Sequence, residues 1–488
     1  VLTDPVATMP GPAGGLTVHP VPTVITRADP APPARRSGLR ADILAGAAAL
    51  LLVFVVLGVG MLTGARLYGG AHFGRASSSF GEYPVLAHLS PHVGPGSVLA
   101  VMVAVAAVAW GPGLAGRLRW RYALAGGYVL SVAWTFALAL VDGWQAGVVH
   151  RLATGSEYLS EVPGITDIPM MLRTFTERIL ATAPDPWTTH VSGHPPGATL
   201  VFVWLDRLGL SGSTAAGVFC VLVGGLVAVA LPVTVAALGR LDLARAALPF
   251  VALLPGAVWM GVSADAMFAG VVAAGVAVLA VGSARLTAGR SAGGVLCAVS
   301  GLLLGFGIFL SYGLLLMAPI ALAVVLTSRC WRALLYAIPA ALAVAGVFAL
   351  AGFWWLDGYH LVVERYYSGI ASDRPYWYWL WANLGCLVLV VGPAVAAGLR
   401  RTVPRFLEGL PGREPPTPVV ALVRGAVLAV LTADLTGLSK AETERIWLPF
   451  AVWLVLAAAT LPRASWRWWL VAQAGTALVV NHVFLTNW

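Results

Sequence analysis

Charge is what this chain has least of: 10% of its 488 residues are Asp, Glu, Lys or Arg, and lysine occurs once, at Lys440. With 59% hydrophobic residues and a mean hydropathy of +0.84, it has too little polar side chain to make an ordinary water-soluble surface. Cysteine is scarce as well. Cys220, Cys297, Cys330 and Cys386 sit in or beside apolar runs with no CxxC or Cys/His ligand spacing, which leaves them as small core residues. The net charge of +9 resides in short arginine clusters between apolar runs, where the positive-inside rule places them. Topology therefore accounts for the charge, and no nucleic-acid partner is expected.

What is abundant is apolar stretches of a length that crosses a hydrocarbon core as a helix; a β-barrel would show short alternating segments instead. The expected fold is an all-α polytopic membrane protein of about 13 spans, over 42–63, 97–113, 121–141, 214–238, 246–260, 266–283, 292–309, 311–327, 333–353, 379–399, 419–435, 447–461 and 469–487. Residues 1–40, rich in Pro, Gly and Ala, read as a disordered cytoplasmic tail ahead of a single transmembrane catalytic domain over 41–488. The segment 197–210 is short and carries Asp206 and Arg207, so it reads as a partial or peripheral helix.

Arginines near 117–121, 240–245, 285–290, 329–332, 400–413 and 463–467 mark the cytoplasmic turns. The opposite, extracytoplasmic side then receives the long loops 64–96, 143–196 and 354–378 and shorter ones near 261–265 and 436–446. A loop as long as 143–196 is functional or disordered, and Trp144, Tyr158 and Trp187 argue for order. Within it "IPMMLRTFTERIL" reads as a short interfacial helix, with Met170, Met171, Phe175 and Leu180 toward lipid and Arg173, Glu177 and Arg178 toward water.

Five stretches carry candidate chemistry. In "LALVDGWQAG", Asp142 stands where the third span emerges, either as a snorkelling helix end or as a general base facing a water-filled cavity. In "HVSGHPPGATL", Pro195 and Pro196 end one helix and start another, whose first-turn N–H groups would suit an anion beside His194. In "GVSADAMFAG", Ser263 or Asp265 caps a helix, with ligand contact by Asp265 as the other reading. "WWLDGYHLVVERYYSGIASDRPYWYW" gathers Asp357, His360, Glu364, Arg365, Tyr366, Tyr367, Asp373 and Arg374, a set suited to sugar stacking and hydroxyl recognition. There Trp377 and Trp379 read as an interfacial belt. "LSKAETERIWLPF" places Lys440, Glu442, Glu444 and Arg445 before a span, as a solvated cap or as a bidentate phosphate grip by Arg445.

The order of these features, with Asp at a span end, a long loop, "HPPG", "SADAMFAG" and "ERIWLP", resembles the GT-C superfamily of integral membrane glycosyltransferases over most of 121–461. The resemblance implies a polyprenyl-phosphate sugar donor, an extracytoplasmic envelope glycan acceptor of arabinan or lipoarabinomannan type, and an active site outside a bacterial plasma membrane. It implies Asp142 as the catalytic carboxylate, with Glu82 of "FGEYPVLAHL" as the alternative register. Phosphate binding would fall to Arg445, Arg365 and His194. Substrate binding would fall to Asp265, Glu364, Tyr366, Tyr367, Asp357, His360 and Glu444. Gly143 follows Asp142 where the family often has a second acid, so a divalent metal stays open and no cofactor is assigned. The high Ala, Val, Gly, Leu and Arg content points to an actinobacterial envelope enzyme. The competing class is a lipid-linked glycan flippase or small-solute transporter, which would show internal repeats and midplane charges; here no repeat is clear and the charges gather at one rim.

Overall fold

The computed structural model describes residues 38–63, 85, 87–410 and 414–486. Most of residues 1–40, and Glu82 with its loop, lie outside them. The first helices are α1 (Leu39–Thr63), α2 (Pro95–Arg117) and α3 (Trp120–Ala139), the last continuing through a tight turn to Asp142. The loop 143–196 follows, carrying α4 (Ile168–Thr174) and α5 (Thr189–Gly193). After it come α6 (Pro196–Arg207), the paired α7 (Gly212–Gly224) and α8 (Val227–Ala237), α9 (Leu241–Ala252) and α10 (Ala257–Met260). The centre of the bundle is α11 (Ala264–Thr287), beside α12 (Ala292–Leu310). Next are α13 (Ala318–Ser328), α14 (Leu334–Leu350), the surface helix α15 (Trp355–Ser368), and α16 (Tyr376–Val391) with α17 (Pro393–Thr402). The chain ends through α18 (Pro418–Thr436), α19 (Thr443–Ile446), α20 (Leu448–Ala451) and α21 (Trp466–Val483).

Among the described residues, 8 helices are long and apolar enough to cross a membrane, or up to 10 if each of two bent pairs is one span. The expected 13 are therefore not reached, for local reasons. The segment expected at 379–399 bends by 106° between α16 and α17, at Gly392, whose φ of +81° suits glycine, followed by Pro393. The segments 447–461 and 469–487 are two arms of one pair bent by 113° at Pro462. The segment 246–260 divides into α9 and α10 at Pro255, and 311–327 is a shorter apolar helix, Tyr312–Ser328. As expected, α6 does not cross: its 12 residues span about 18 Å against a core of about 30 Å.

Among the described residues one small strand pair departs from an all-helical chain. Strand β1 (Ala87–Leu89) pairs antiparallel with β2 (Phe484–Thr486), with Ala87 opposite Thr486. The segment entering α2 is thereby fastened to the end of α21.

Helices α1, α2 and the span 331–350 turn most of their apolar residues outward, as lipid-facing helices do. The loop 143–196 has its own core. Trp187 donates to the carbonyl of Phe175 at 2.9 Å, Arg178 stacks 3.4 Å over the Trp187 ring, and Phe175 is fully buried against Phe353. This corrects the interfacial reading of "IPMMLRTFTERIL": of the four side chains expected toward lipid, Met171 and Phe175 are buried, Leu180 is half-buried and Met170 is exposed. Trp379 is likewise buried inside the bundle, whereas Trp377 is exposed where a belt residue would be.

Candidate functional site at one end of the bundle

Loop 143–196, the start of α11 and the turn between α18 and α20 meet around one guanidinium. Arg445, on α19, is 5% exposed. Its Nε lies 3.2 Å from Asp265 Oδ2, its Nη1 3.8 Å from Glu157 Oε1, and its Nη2 3.1 Å from His190 Nε2. Because arginine only donates, His190 Nε2 accepts, and its Nδ1, 2.9 Å from Glu157 Oε1, carries the proton. Burial works against the Arg445 charge, but Asp265, Glu157 and Glu442 together hold the guanidinium above its ordinary pKa. Burial likewise tends to raise Glu157, and His190 and Arg445 outweigh it, so this carboxyl is held below the usual range.

Asp265 reaches Arg445 because Ser263 takes the capping role at α11. Ser263 Oγ accepts from the Ala266 amide at 3.4 Å and donates to the Trp259 carbonyl at 2.8 Å. The Asp265 side chain is thus available one step into the helix. Tyr158, next to Glu157, stacks between His190 and Phe202.

The loop bearing Arg445 is held from three sides. Asn383 of α16 donates to Asp434 Oδ1 and to the Ser439 carbonyl, each at 2.9 Å, and accepts from the Ala441 amide at 3.3 Å. Arg374 donates to the Lys440 carbonyl and to Glu442 Oε1, and Lys440 Nζ returns a bond to the Arg374 carbonyl at 3.1 Å. Tyr366 Oη accepts from the Lys440 amide at 2.8 Å, and Tyr367 donates to the Gly437 carbonyl at 3.2 Å. Between these ties Ala441 and Glu442 sit at φ of +72° and +61°. Left-handed backbone at two consecutive non-glycine residues costs about 1–3 kcal/mol each and persists only where surrounding contacts over-determine it.

Asp142 belongs to a second grouping. Its Oδ2 is 2.6 Å from Arg151 Nη2 and its Oδ1 is 2.9 Å from His92 Nε2. Arg151 also donates to the Thr486 carbonyl at 2.8 Å, and the His92 amide donates to the His482 carbonyl at 2.9 Å. Burial pulls the Arg151 guanidinium below its ordinary pKa, against the opposing pull of Asp142. Asp142 therefore joins the end of α3, the entry to α2 and the β2 strand.

The other sequence candidates divide. Glu444 is buried on α19 beside Arg445. Tyr366 and Tyr367 brace the Arg445 loop as described. Arg365 instead donates to the Ile179 carbonyl at 2.5 Å, fastening α15 to loop 143–196. Asp357, His360 and Glu364 lie exposed on α15. His194 faces inward, its Nδ1 2.8 Å from the His190 carbonyl, between Tyr158 and Phe268. "HPPG" is partly architecture: Pro196 starts α6, and a Cβ at Gly197 would lie 2.5 Å from the Phe309 carbonyl oxygen. Among the described residues no grouping of three or more His, Cys, Asp or Glu could hold a metal ion. Glu157 and Asp265 are directed at Arg445.

Glu157, Arg151, His92 and Asn383 were not singled out as site residues from the sequence, whereas Arg374 stood in the polar and aromatic set at 357–374. Glu157 has no motif around it, and its partners lie far along the chain. His190 stood in the quoted "HVSGHPPGATL", the one available signal.

No protein-family model and no curated protein sequence matches the chain. Among solved structures, it is similar to the Archaeoglobus fulgidus oligosaccharyltransferase, in a complex with zinc and sulfate, with a TM-score of 0.43 and 14% identity. That likeness covers 74% of this chain, which spans about half of the other, 52%.

Proposed function

We propose that this chain is a membrane glycosyltransferase of the GT-C kind that moves a sugar from a polyprenyl-phosphate carrier to a hydroxyl of an extracytoplasmic envelope glycan, of arabinan or lipoarabinomannan type. The observation that carries this reading is the buried Arg445, fully charged among loop residues at one end of a lipid-embedded bundle. A guanidinium offers a fork of donors matched to phosphate oxygens, and burial strengthens its grip. The contact to Glu157 at 3.8 Å is the longest of its three, and its exchange for a phosphate oxygen would seat the leaving group on Arg445. Asp265, Tyr366, Tyr367 and Glu444 would surround or brace the same site. Asp142, with each oxygen already held by a cationic or imidazole neighbour, would orient the acceptor at the rim. Displacement at the anomeric carbon by the acceptor hydroxyl would invert configuration, with phosphate leaving. Within the resembled superfamily the composition favours actinobacterial envelope enzymes, and similarity to the mycobacterial methylthioxylose transferase is the narrower reading.

The test compares envelope glycans of a deletion strain and its complemented counterpart by mass spectrometry, together with sugar transfer by the purified protein from polyprenyl-phosphate donors. Loss of one glycosyl unit on deletion and transfer in vitro are expected. Unchanged glycans and no transfer would overturn the reading, and movement of a lipid-linked sugar across vesicles without transfer would replace it with the flippase alternative.

A further inference from the structure

We propose that His194 is a catalytic residue of this transfer, taking the acceptor hydroxyl's proton on its Nε2; the proposal rests on the glycosyltransferase reading above. The argument begins with the tautomer. His194 Nδ1 lies 2.8 Å from the His190 carbonyl oxygen, and a carbonyl only accepts. Nδ1 therefore carries the ring proton, and Nε2 presents a lone pair. Among the described residues Nε2 has no hydrogen-bond partner. His194 is half-buried, and its ring lies against Tyr158 and Phe268 at centroid distances of 5.8 and 5.6 Å.

Several nearby groups able to receive a proton are already engaged. Glu157 and Asp265 face Arg445, and His190 Nε2 accepts from it. Glu442 is paired with Arg374, and Asp142 with Arg151 and His92. His194 differs from them in that its accepting atom is open.

The charged groups around His194 set its protonation. Burial holds the imidazole below its ordinary pKa, against the upward pull of Asp265 of α11 and of the hydrogen bond to the His190 carbonyl, while Arg445 pushes it down. At neutral pH the ring is thus uncharged and ready to accept. In this role His194 accepts a proton and phosphate binding falls to Arg445, because a neutral ring protonated on Nδ1 has no proton on Nε2 to donate to a phosphate oxygen.

The step balances without a further reactant. As the hydroxyl oxygen bonds to the anomeric carbon, the bond from that carbon to the phosphate oxygen breaks, and its electron pair leaves with the phosphate toward Arg445. The hydroxyl proton moves to Nε2. The resulting imidazolium keeps its Nδ1–H bond to His190 and is stabilised by the Asp265 carboxylate.

The experiment measures transfer by the purified full-length protein from a polyprenyl-phosphate sugar over about pH 5–9. His194→Asn keeps a donor in the place of Nδ1 and removes Nε2. His194→Gln reaches the Nε2 place with an amide oxygen that accepts a hydrogen bond but not a proton. Both variants are expected to lose about 10²–10⁴-fold in kcat, with donor KM unchanged and no acid limb in the residual activity. A merely positioning role would be rescued by Gln. Wild-type turnover in folded protein of either variant, rescue by Gln, or a loss carried by donor KM with kcat unchanged would each overturn the proposal, and thermal unfolding in detergent establishes that the variants are folded. Wild-type protein that transfers nothing would instead remove the glycosyltransferase reading, and this step with it.

Discussion

Arg445 donates to the ring nitrogen of His190 at 3.1 Å across 255 residues of chain, and the same guanidinium faces Glu157 and Asp265. Removing it would leave two carboxylates buried without a counter-charge. Arg445→Met is expected to destabilise the protein by about 3–5 kcal/mol and to abolish transfer. Adding Glu157→Gln and Asp265→Asn should restore much of the thermal stability and none of the activity. Thermal unfolding in detergent separates the two; a triple variant as unstable as Arg445→Met would show that the charges are not what holds this junction.

The Asp142–Arg151 pair is a structural joint. Asp142→Asn leaves the Arg151 guanidinium buried with half its partner and is expected to cost about 3 kcal/mol in stability as well as activity. In Asp142→Asn/Arg151→Gln the stability should largely return. If Asp142 orients the acceptor, transfer stays low in that double variant, and recovery of full transfer would confine Asp142 to a structural role.

Acid should weaken the fold in two steps. His194 has a folded-state pKa below its unfolded value of about 6.5, so on acidification the unfolded chain takes up that proton first and stability falls from about pH 6.5 down to the depressed value. Glu157 and Glu442 are also held low, so their contribution is complete above about pH 4.3 and is lost as pH falls through their folded values. A pH series of melting temperatures checks this: His194→Gln should flatten the first step, and Glu157→Gln should shrink the second.

Asn383 makes three hydrogen bonds beneath the Arg445 loop. Asn383→Ala leaves the Ser439 carbonyl and the Ala441 amide without these bonds, at about 1–3 kcal/mol for each group left unsatisfied. Transfer is expected to fall through kcat, because Ala441 and Glu442 can relax from their left-handed backbone and carry Arg445 with them. An Asn383→Ala enzyme of normal kcat would show that the loop holds its shape without this residue.

Topology is open to labelling, since the four native cysteines are buried. Ser192 is buried as well and makes a poor probe, whereas Ala181 and Ala288 are exposed. A membrane-impermeant maleimide should reach Ala181→Cys in intact cells and Ala288→Cys only after permeabilisation. The reverse pattern would put the Arg445 site in the cytoplasm.

Membrane insertion, the long helices and the position of the polar loops were legible in the chain, because apolar length and arginine placement are local properties. Span number was not: glycine at 392 and proline at 393 and 462 turn apolar segments back within the bundle, and hydropathy does not register a bend. Asp265 and Arg445 were legible as charges at helix starts, yet each had an adequate local explanation as a cap. Only their approach to one another removes it. Glu157 gave no signal at all, because a single glutamate in a loop is ordinary until a guanidinium is buried against it. The sequence by itself determined that this protein lives in a bilayer with its polar chemistry gathered in particular loops. Tertiary structure decided which of those charges share a site, since the burial of Arg445, its pairing with Glu157 and Asp265 and the tautomer of His190 all depend on groups brought together from distant parts of the chain.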